Sequence, residues 1–394
     1  MTPQPSANRP ATLFTSEFLR IWGFGFITFL SAFQLFPAIP FHILDLGGDR
    51  ATAGWFLAAY TYASAFAAPV TGSISDRFGR KRILMLAAFS FIFLSLLYGA
   101  ITNIAILLVF AMLHGGIWSG ILASSAAMMS DLVPESRRTE GIAYWGMAST
   151  AAVAVAPWIG LFLYRRFGWF VLCCELAVLS IAMLILAARV KEVGSGSVRA
   201  KGFKIDLRVT AVAMALFAVS FGYGGVTSYV ALMAIERKLE PASLFFTCFA
   251  ITIIVMRIFT ARLGDTHGPL RVLYPSLLLV PVALAILATA SSTWQIVLAA
   301  ILFGSGFGGA YPAFVTFVLA KTDPDRRGGT FGSILWAFDT GIGTGSLVTG
   351  LLSQRVGFQF AYLVAAAVGC LAVPIFLVAS RLLPAPGSRG TAVA

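Results

Sequence analysis

Twelve stretches of about twenty largely apolar residues follow one another along this chain, and nothing else in the sequence restricts the fold so tightly. They cover 18–41, 53–75, 83–102, 105–130, 140–164, 168–188, 208–233, 243–263, 270–290, 294–320, 328–352 and 358–381. A helix of that length crosses the hydrocarbon core of a bilayer. It also satisfies its backbone N–H and C=O groups internally, where no water can reach them. Charged residues make up 11% of the 394, against roughly 25% in soluble domains, and 59% are hydrophobic. A soluble chain of this length could not cover its surface with so few charges. Composition therefore excludes a cytosolic enzyme, a coiled coil, a disordered chain and a disulfide scaffold. It leaves an all-α membrane protein of twelve transmembrane helices.

The net charge is +12, but the basic residues are spread through the short connections and form no nucleic-acid-binding patch. With the N-terminus in the cytoplasm, 21 of the 28 Lys and Arg fall on the cytoplasmic side, six fall opposite, and Arg257 lies inside a span. The positive-inside rule then places both termini in the cytoplasm and the chain in the cytoplasmic (inner) membrane as a multi-pass protein. Cys173, Cys174, Cys248 and Cys370 all lie in apolar runs without metal-ligand spacing, so neither a metal site nor a cofactor is expected. The N-terminal stretch is polar and Pro-rich, and the first apolar run is too long for a leader, so no cleavable signal is expected.

Shifted by 189 residues, the chain partly matches itself. Asp76 falls on Asp265, Gly79 on Gly268, Gly115 on Gly304, Gly120 on Gly309, Arg137 and Arg138 on Arg326 and Arg327, and Arg166 and Gly168 on Arg355 and Gly357. One shift serves six spans and their loops without a gap. The domains expected are an N-terminal six-helix bundle (1–188), a Gly/Ser-rich basic cytoplasmic linker (189–207) and a C-terminal six-helix bundle (208–394). Parallel repeats of this kind are related by an axis along the membrane normal, with a site between the halves near mid-membrane that is exposed to alternate sides by rocking.

The loop after the second span reads Gly72-Ser-Ile-Ser-Asp76-Arg77-Phe-Gly79-Arg80-Lys81-Arg82. This resembles the G-x-x-x-D-R-x-G-R-[RK] signature of the major facilitator superfamily, and the loop after the eighth span (Asp265, Gly268, Arg271) is its degenerate echo. The resemblance covers nearly the whole chain and implies two pseudo-symmetric six-helix bundles. It also implies a latch on the cytoplasmic gate. Asp76 would face the positive N-terminal end of the eleventh helix, Gly72 would permit close helix approach, Gly79 a tight turn, and Arg77, Arg80 and Lys81 would pair with acids or lipid phosphates. The plainer alternative is that these cations only enforce topology.

Further stretches are similar to the twelve-span drug:proton antiporter branch and its arabinose-efflux-like and metallophore-exporter relatives. They are Leu35-Phe-Pro37-Ala-Ile-Pro40, the His114-Gly115 pair, the run from Asp131 to Gly146, and Ala156-Pro157-Trp-Ile-Gly160, a partial copy of the exporter G-P-x-x-G. Two positions depart from that branch. Ala111 stands where its fourth span commonly has Arg, and Ala68-Pro69 where relatives have Arg-Pro. The 189-residue shift places Arg257 opposite Ala68.

Ionisable groups inside lipid are costly, and each is a candidate site. Asp339 lies about ten residues into the eleventh span and Arg257 about six into the eighth, so at ~1.5 Å per residue their depths differ by ~6 Å. A pair broken by protonation of Asp339 would be a proton switch; the alternative is a static ion pair. His114 and Glu175 are further proton-coupling candidates, with helix packing as the alternative for each. Gln34, Trp118, Tyr144, Trp145, Pro157, Tyr223, Tyr229, Tyr311 and Trp336 are candidates for a substrate cavity, where aromatics could stack on an amphipathic or cationic molecule. Gly304-Ser-Gly306-Phe-Gly308-Gly309 satisfies G-x-G-x-x-G, but it lies inside a span, where small residues serve helix packing.

These features together point to a secondary active transporter working by alternating access. The resemblance implies proton-coupled efflux of a small organic molecule, drug-like or a metallophore, by a monomer in the lipid bilayer, without a cofactor or a nucleic-acid partner and without enzymatic activity. A symporter importing an organic nutrient, or a non-transporting membrane sensor or assembly factor, are the alternatives.

Overall fold

The computed structural model describes residues 13–134, 137–192, 207–322 and 327–383. The helices of the first half are α1 (Ser16–Asp45), α2 (Arg50–Phe78), α3 (Arg80–Ala100), α4 (Ile104–Leu132), α5 (Arg138–Phe167) and α6 (Trp169–Arg189). Those of the second are α7 (Leu207–Glu236), α8 (Leu244–His267), α9 (Pro269–Thr289), α10 (Thr293–Ala320), α11 (Arg327–Val356), α12 (Phe358–Cys370) and α13 (Ala372–Ala379). No strand occurs among the described residues. Each of the twelve expected spans is helical. The twelfth departs from expectation in being broken at Leu371. Pro374 has no N–H for the Cys370 carbonyl and its ring crowds that group, so the helix stops and restarts.

Local chemistry sets the ends. Thr15 accepts a hydrogen bond from Phe18 N (3.2 Å), Asp49 from Thr52 N (2.7 Å) and Asn103 from Ile106 N (3.2 Å), while Ser292 and Gln295 form a capping box. Gly79, Gly168, Gly268 and Gly357 each end one helix and begin the next, at φ of 94°, 88°, 84° and 87°. A residue with a Cβ is strained there. These four form two pairs at the 189-residue offset.

Among the described residues, nine helices are long and apolar enough to cross a membrane by composition alone; α2, α8 and α11 fall short. Those three carry polar and charged groups such as Ser64, Arg257 and Asp339, and they face the other half across the centre of the molecule. The helices α3, α6, α9 and α12 pack behind the inner helices. Glycine lets the helices approach closely: Gly115 lies on the Tyr60 carbonyl and, one repeat later, Gly304 lies on that of Phe249. The Gly304–Gly309 run thus packs α10 onto α8 and α9.

The start of α1, the end of α6, the start of α7 and the signature loop lie on one face, called here the linker face; α1 and α7 run from it to the far face.

Candidate functional site: a cavity between the halves

A cavity of about 310 Å³ lies between the halves and draws on eight helices: α1, α2, α4 and α5 from the first, α7, α8, α10 and α11 from the second. Seven pairs of lining residues stand 189 apart: Tyr60 and Phe249, Ser64 and Ile253, Trp118 and Phe307, Leu122 and Tyr311, Ser149 and Phe338, Thr150 and Asp339, Val153 and Ile342. The two halves therefore present the same helix faces to the centre, one with Ser and Thr where the other has Phe and Asp.

The walls are mostly aromatic. Tyr223 stacks on Phe307 (4.4 Å, 21°), Tyr311 stands edge-on to Phe338 (5.1 Å) and Trp118 edge-on to Phe29 (5.2 Å). Into this surface project one acid and one base among the described lining residues. Asp339 accepts a hydrogen bond from Ser64 Oγ of the other half (3.0 Å), and Arg257 donates from Nη1 to the Gly146 carbonyl (2.9 Å), also across the halves. The expected Arg257–Asp339 pair is not formed. Each group instead takes a neutral partner from the opposite half, because α8 packs on α5 while α11 packs on α2.

Beyond the cavity, toward the far face, α2 and α11 are locked together. Tyr62 and Thr344 share a hydrogen bond (2.8 Å), Ser346 donates to the Gly54 carbonyl (3.3 Å), and Gly343 and Gly350 let the backbones close. Arg50 caps this seam. Its Nη1 donates to the Ser353 carbonyl (3.1 Å), its Nη2 pairs with Glu236, its guanidinium lies 4.6 Å from the Phe358 ring, and its own carbonyl accepts from Tyr229 (2.6 Å). Next to it, Thr52 side-chain and backbone hydrogen bonds hold the Asp49 carboxyl below its ordinary range. Arg165 and Glu240 bridge the halves at 3.3 Å. The described hydrogen bonds between the halves thus run from mid-membrane to the far face. Toward the linker face, Phe66, Val70 and Ile74 of α2 are exposed.

Of the residues singled out from sequence, Trp118, Tyr223, Tyr311, Arg257 and Asp339 line the cavity. The others lie elsewhere. His114 is buried in the first bundle, its ring against Phe91 (4.2 Å) and Tyr60 (5.0 Å) and its Nδ1 3.4 Å from the Tyr98 hydroxyl. Gln34 turns away from the centre and donates to Glu175 of α6 (3.2 Å), which removes both from the cavity. Tyr229 belongs to the far-face seam. Tyr144 is exposed beside Phe14, and Trp145 packs toward Gly25 of α1. Pro157 is buried within a continuous α5, one turn beyond the cavity-lining Val153, and Trp336 meets Phe66 (6.4 Å) on the linker side of the cavity. Composition alone does not mark Phe29, Phe33, Tyr60, Ser64 or Thr150 as cavity residues. The repeat does hold a signal for one of them, since Thr150 is one repeat from Asp339, and likewise for Phe307, one repeat from Trp118.

In the signature loop, the side chains of Asp76 and Asp265, and that of Arg327 at the start of α11, lie outside the described residues. The expected contact of Asp76 with that helix end therefore lies outside them too. Gly79 and Gly268 make the expected tight turns. Gly72 shows no close helix approach among the described residues: a Cβ placed there would touch nothing within 4 Å. Arg80 pairs with Asp131 inside the first bundle, Arg77 lies 5.5 Å from the Phe78 ring, the Lys81 N–H lies 3.5 Å from Glu192 Oε1, and Arg271 is exposed.

The family model described as Major Facilitator Superfamily matches the chain twice, over residues 21–242 and 212–393. Multidrug resistance protein MdtG of Dickeya zeae is 26% identical over 361 residues, which are 86% of this chain and 88% of that protein. Multidrug export protein EmrB of Haemophilus influenzae is 26% identical over 161 residues, 40% of this chain and 32% of that one. Among solved structures, the nucleoside transporter NupG superposes with a TM-score of 0.74 at 15% identity, over 93% of this chain and all of that one. A bacterial homologue of the human lysosomal transporter Spinster, in an inward-facing and unoccupied conformation, superposes with 0.76 at 13%, over 95% and 98%. At these identities the structural likeness is one of fold.

Proposed function

The chain belongs to the Major Facilitator Superfamily, and from that premise we propose that it exports an aromatic or amphipathic organic molecule in exchange for protons, with Asp339 as the proton carrier. The observation that carries this reading is the single carboxylate set among aromatic walls and hydrogen-bonded to Ser64 of the opposite half. The rings offer stacking and cation–π surface to a flat or cationic substrate. Asp339 offers one site for which a cation and a proton compete. Protonation would remove the charge that Ser64 donates to and loosen the α2–α11 seam at its inner end, biasing which face the cavity opens to. Substrate release on one side and proton release on the other then follow from one two-state element.

The names of relatives that match most of the chain length support export of drug-like molecules. The excess of Lys and Arg on the linker face supports that face as cytoplasmic, with the protein in the inner membrane. A cavity lined wholly by residues of one chain supports a monomer as the working unit. In this reading the structure is closed toward the outside by the Arg50 cluster. The open surround of Gly72 then reflects the linker-face gate standing apart, and Gly72 would meet a neighbour when that gate shuts.

Cells expressing the chain, loaded with a cationic dye and treated with an uncoupler, test the proposal. Energy-dependent dye loss that stops with the uncoupler is expected. Dye uptake driven by the proton gradient would instead favour an importer. Absence of substrate-dependent counterflow in proteoliposomes would favour a non-transporting role.

A further inference from the structure

A second cavity, of about 330 Å³, lies apart from the first, at the far face between the end of α5 and the α7–α8 connection. One wall is a single face of α5: Trp158 and Phe162, then Arg165 and Arg166, at spacings i, i+4, i+7 and i+8. The other wall belongs to the second half and includes Ile235, Glu240 and Pro241. Trp158 and Phe162 stack at 5.9 Å and 12°, yet they are 57% and 50% exposed, so the ring platform faces the bilayer and not the protein interior. Eight residues separate Trp158 from Arg166, so the arginines stand ~12 Å above the lower ring.

The charges do not balance. Arg165 reaches Glu240 at 3.3 Å, while no hydrogen bond or ion pair between described residues is made by Arg166. Two guanidinium groups face one carboxylate. On the same face, Arg50 and Arg237 are held by protein groups, the latter by the Leu287, Ala288 and Ala290 carbonyls at the end of α9. Lys238 and Arg355 on this face also make no side-chain hydrogen bond or ion pair between described residues, but neither lines the groove; Arg165 and Arg166 are the cations set over its apolar floor. Guanidinium is the side chain suited to a phosphate, which it meets with paired donors, and basic pockets between transmembrane helices take lipid headgroups.

We infer that this seam binds an anionic phospholipid of the far-face leaflet, its phosphate on Arg165 and Arg166 and its upper acyl chain along Trp158 and Phe162. Such a lipid lies in a groove walled by both halves, its phosphate held chiefly by Arg166 and sharing Arg165 with Glu240. Its binding does not depend on which substrate is carried or on proton coupling.

Native mass spectrometry of the full chain in detergent, titrated with phosphatidylglycerol or phosphatidylcholine, tests the inference. Preferential retention of phosphatidylglycerol is expected, with about a fivefold loss of affinity in Arg166→Gln, the worth of one interfacial cation. Should that variant fold poorly, Phe162→Ala is expected to weaken the same lipid by removing the platform and leaving the charges. Equal binding of both lipids by the wild type, or unchanged phosphatidylglycerol affinity in both variants, would overturn the inference. So would inorganic phosphate competing the lipid off at equal concentration, since the apolar floor would then contribute nothing.

Discussion

Arg50→Ala should open the far-face gate. The side chain spans the halves through a charged hydrogen bond to the Ser353 carbonyl at 3.1 Å, an ion pair with half-exposed Glu236, and a cation–π contact with Phe358 at 4.6 Å. A charged hydrogen bond contributes about 1.5 kcal/mol, and the ring contact about 0.5 kcal/mol at a partly exposed site. The ion pair, screened by solvent, adds a few tenths. These sum to about 2 kcal/mol in favour of the closed far face, so losing them shifts the closed-to-open ratio roughly thirtyfold. Spin labels on exposed Thr102 and Val356, one on each half at the far face, read this directly by pulsed dipolar spectroscopy in a cysteine-free background. The variant should gain a longer-distance population that is minor or absent in the parent. Arg50→Lys, which keeps the charge but not the paired donors, should fall between them. Superimposable distance distributions for Arg50→Ala and its parent would refute the assignment of Arg50 as the latch.

Three further outcomes follow from the packing. Gly115→Val should destabilise the fold by more than about 2 kcal/mol, because its side chain would collide with the Tyr60 backbone. Gly116→Ala, whose Cβ meets nothing closer than Ala67 at 3.9 Å, should leave the melting temperature unchanged; equal effects from both would contradict the packing. His114→Asn should lose stability by about 1–3 kcal/mol yet keep the pH profile of transport, since His114 touches only the first bundle; a shifted profile would return it to the coupling machinery. Asp49→Ala should cost about 1 kcal/mol at neutral pH as a lost cap. The Asp49 carboxyl is held below its ordinary range, so its contribution is present above the unfolded pKa and is lost as pH falls through the folded one. The difference in melting temperature between Asp49→Ala and wild type should therefore narrow below about pH 4; a difference that widened in acid would contradict it.

Much of this architecture was legible because lipid leaves few options: length and apolarity marked nine spans outright, α2, α8 and α11 were weaker because of the polar groups they carry, and the 189-residue repeat paired Gly79 with Gly268 and Gly115 with Gly304. Rotation about each helix axis was harder to read. A helix apolar all round carries no periodic mark of which face meets lipid, protein or cavity. Gln34 therefore looked like a cavity group until the bundle turned it toward Glu175, and His114 stayed open between proton coupling and helix packing until its ring was found against Phe91 and Tyr60. Asp339 and Arg257 could be recognised as costly in lipid, but not as bonded to Ser64 and to the Gly146 carbonyl, because those partners come from the other half and depend on how the halves dock. Gly72 was harder for another reason: the signature motif says nothing of which neighbour it approaches, and a Cβ there meets no described atom within 4 Å.

The central claim is that Asp339 carries the proton that drives transport. Proteoliposomes bearing Asp339→Asn, assayed for substrate flux under an imposed pH gradient and for substrate exchange without one, test it most directly. Gradient-driven flux falling to that of empty liposomes, with exchange retained and with driven flux restored in Asp339→Glu, is the predicted result. Undiminished driven flux in Asp339→Asn would contradict it.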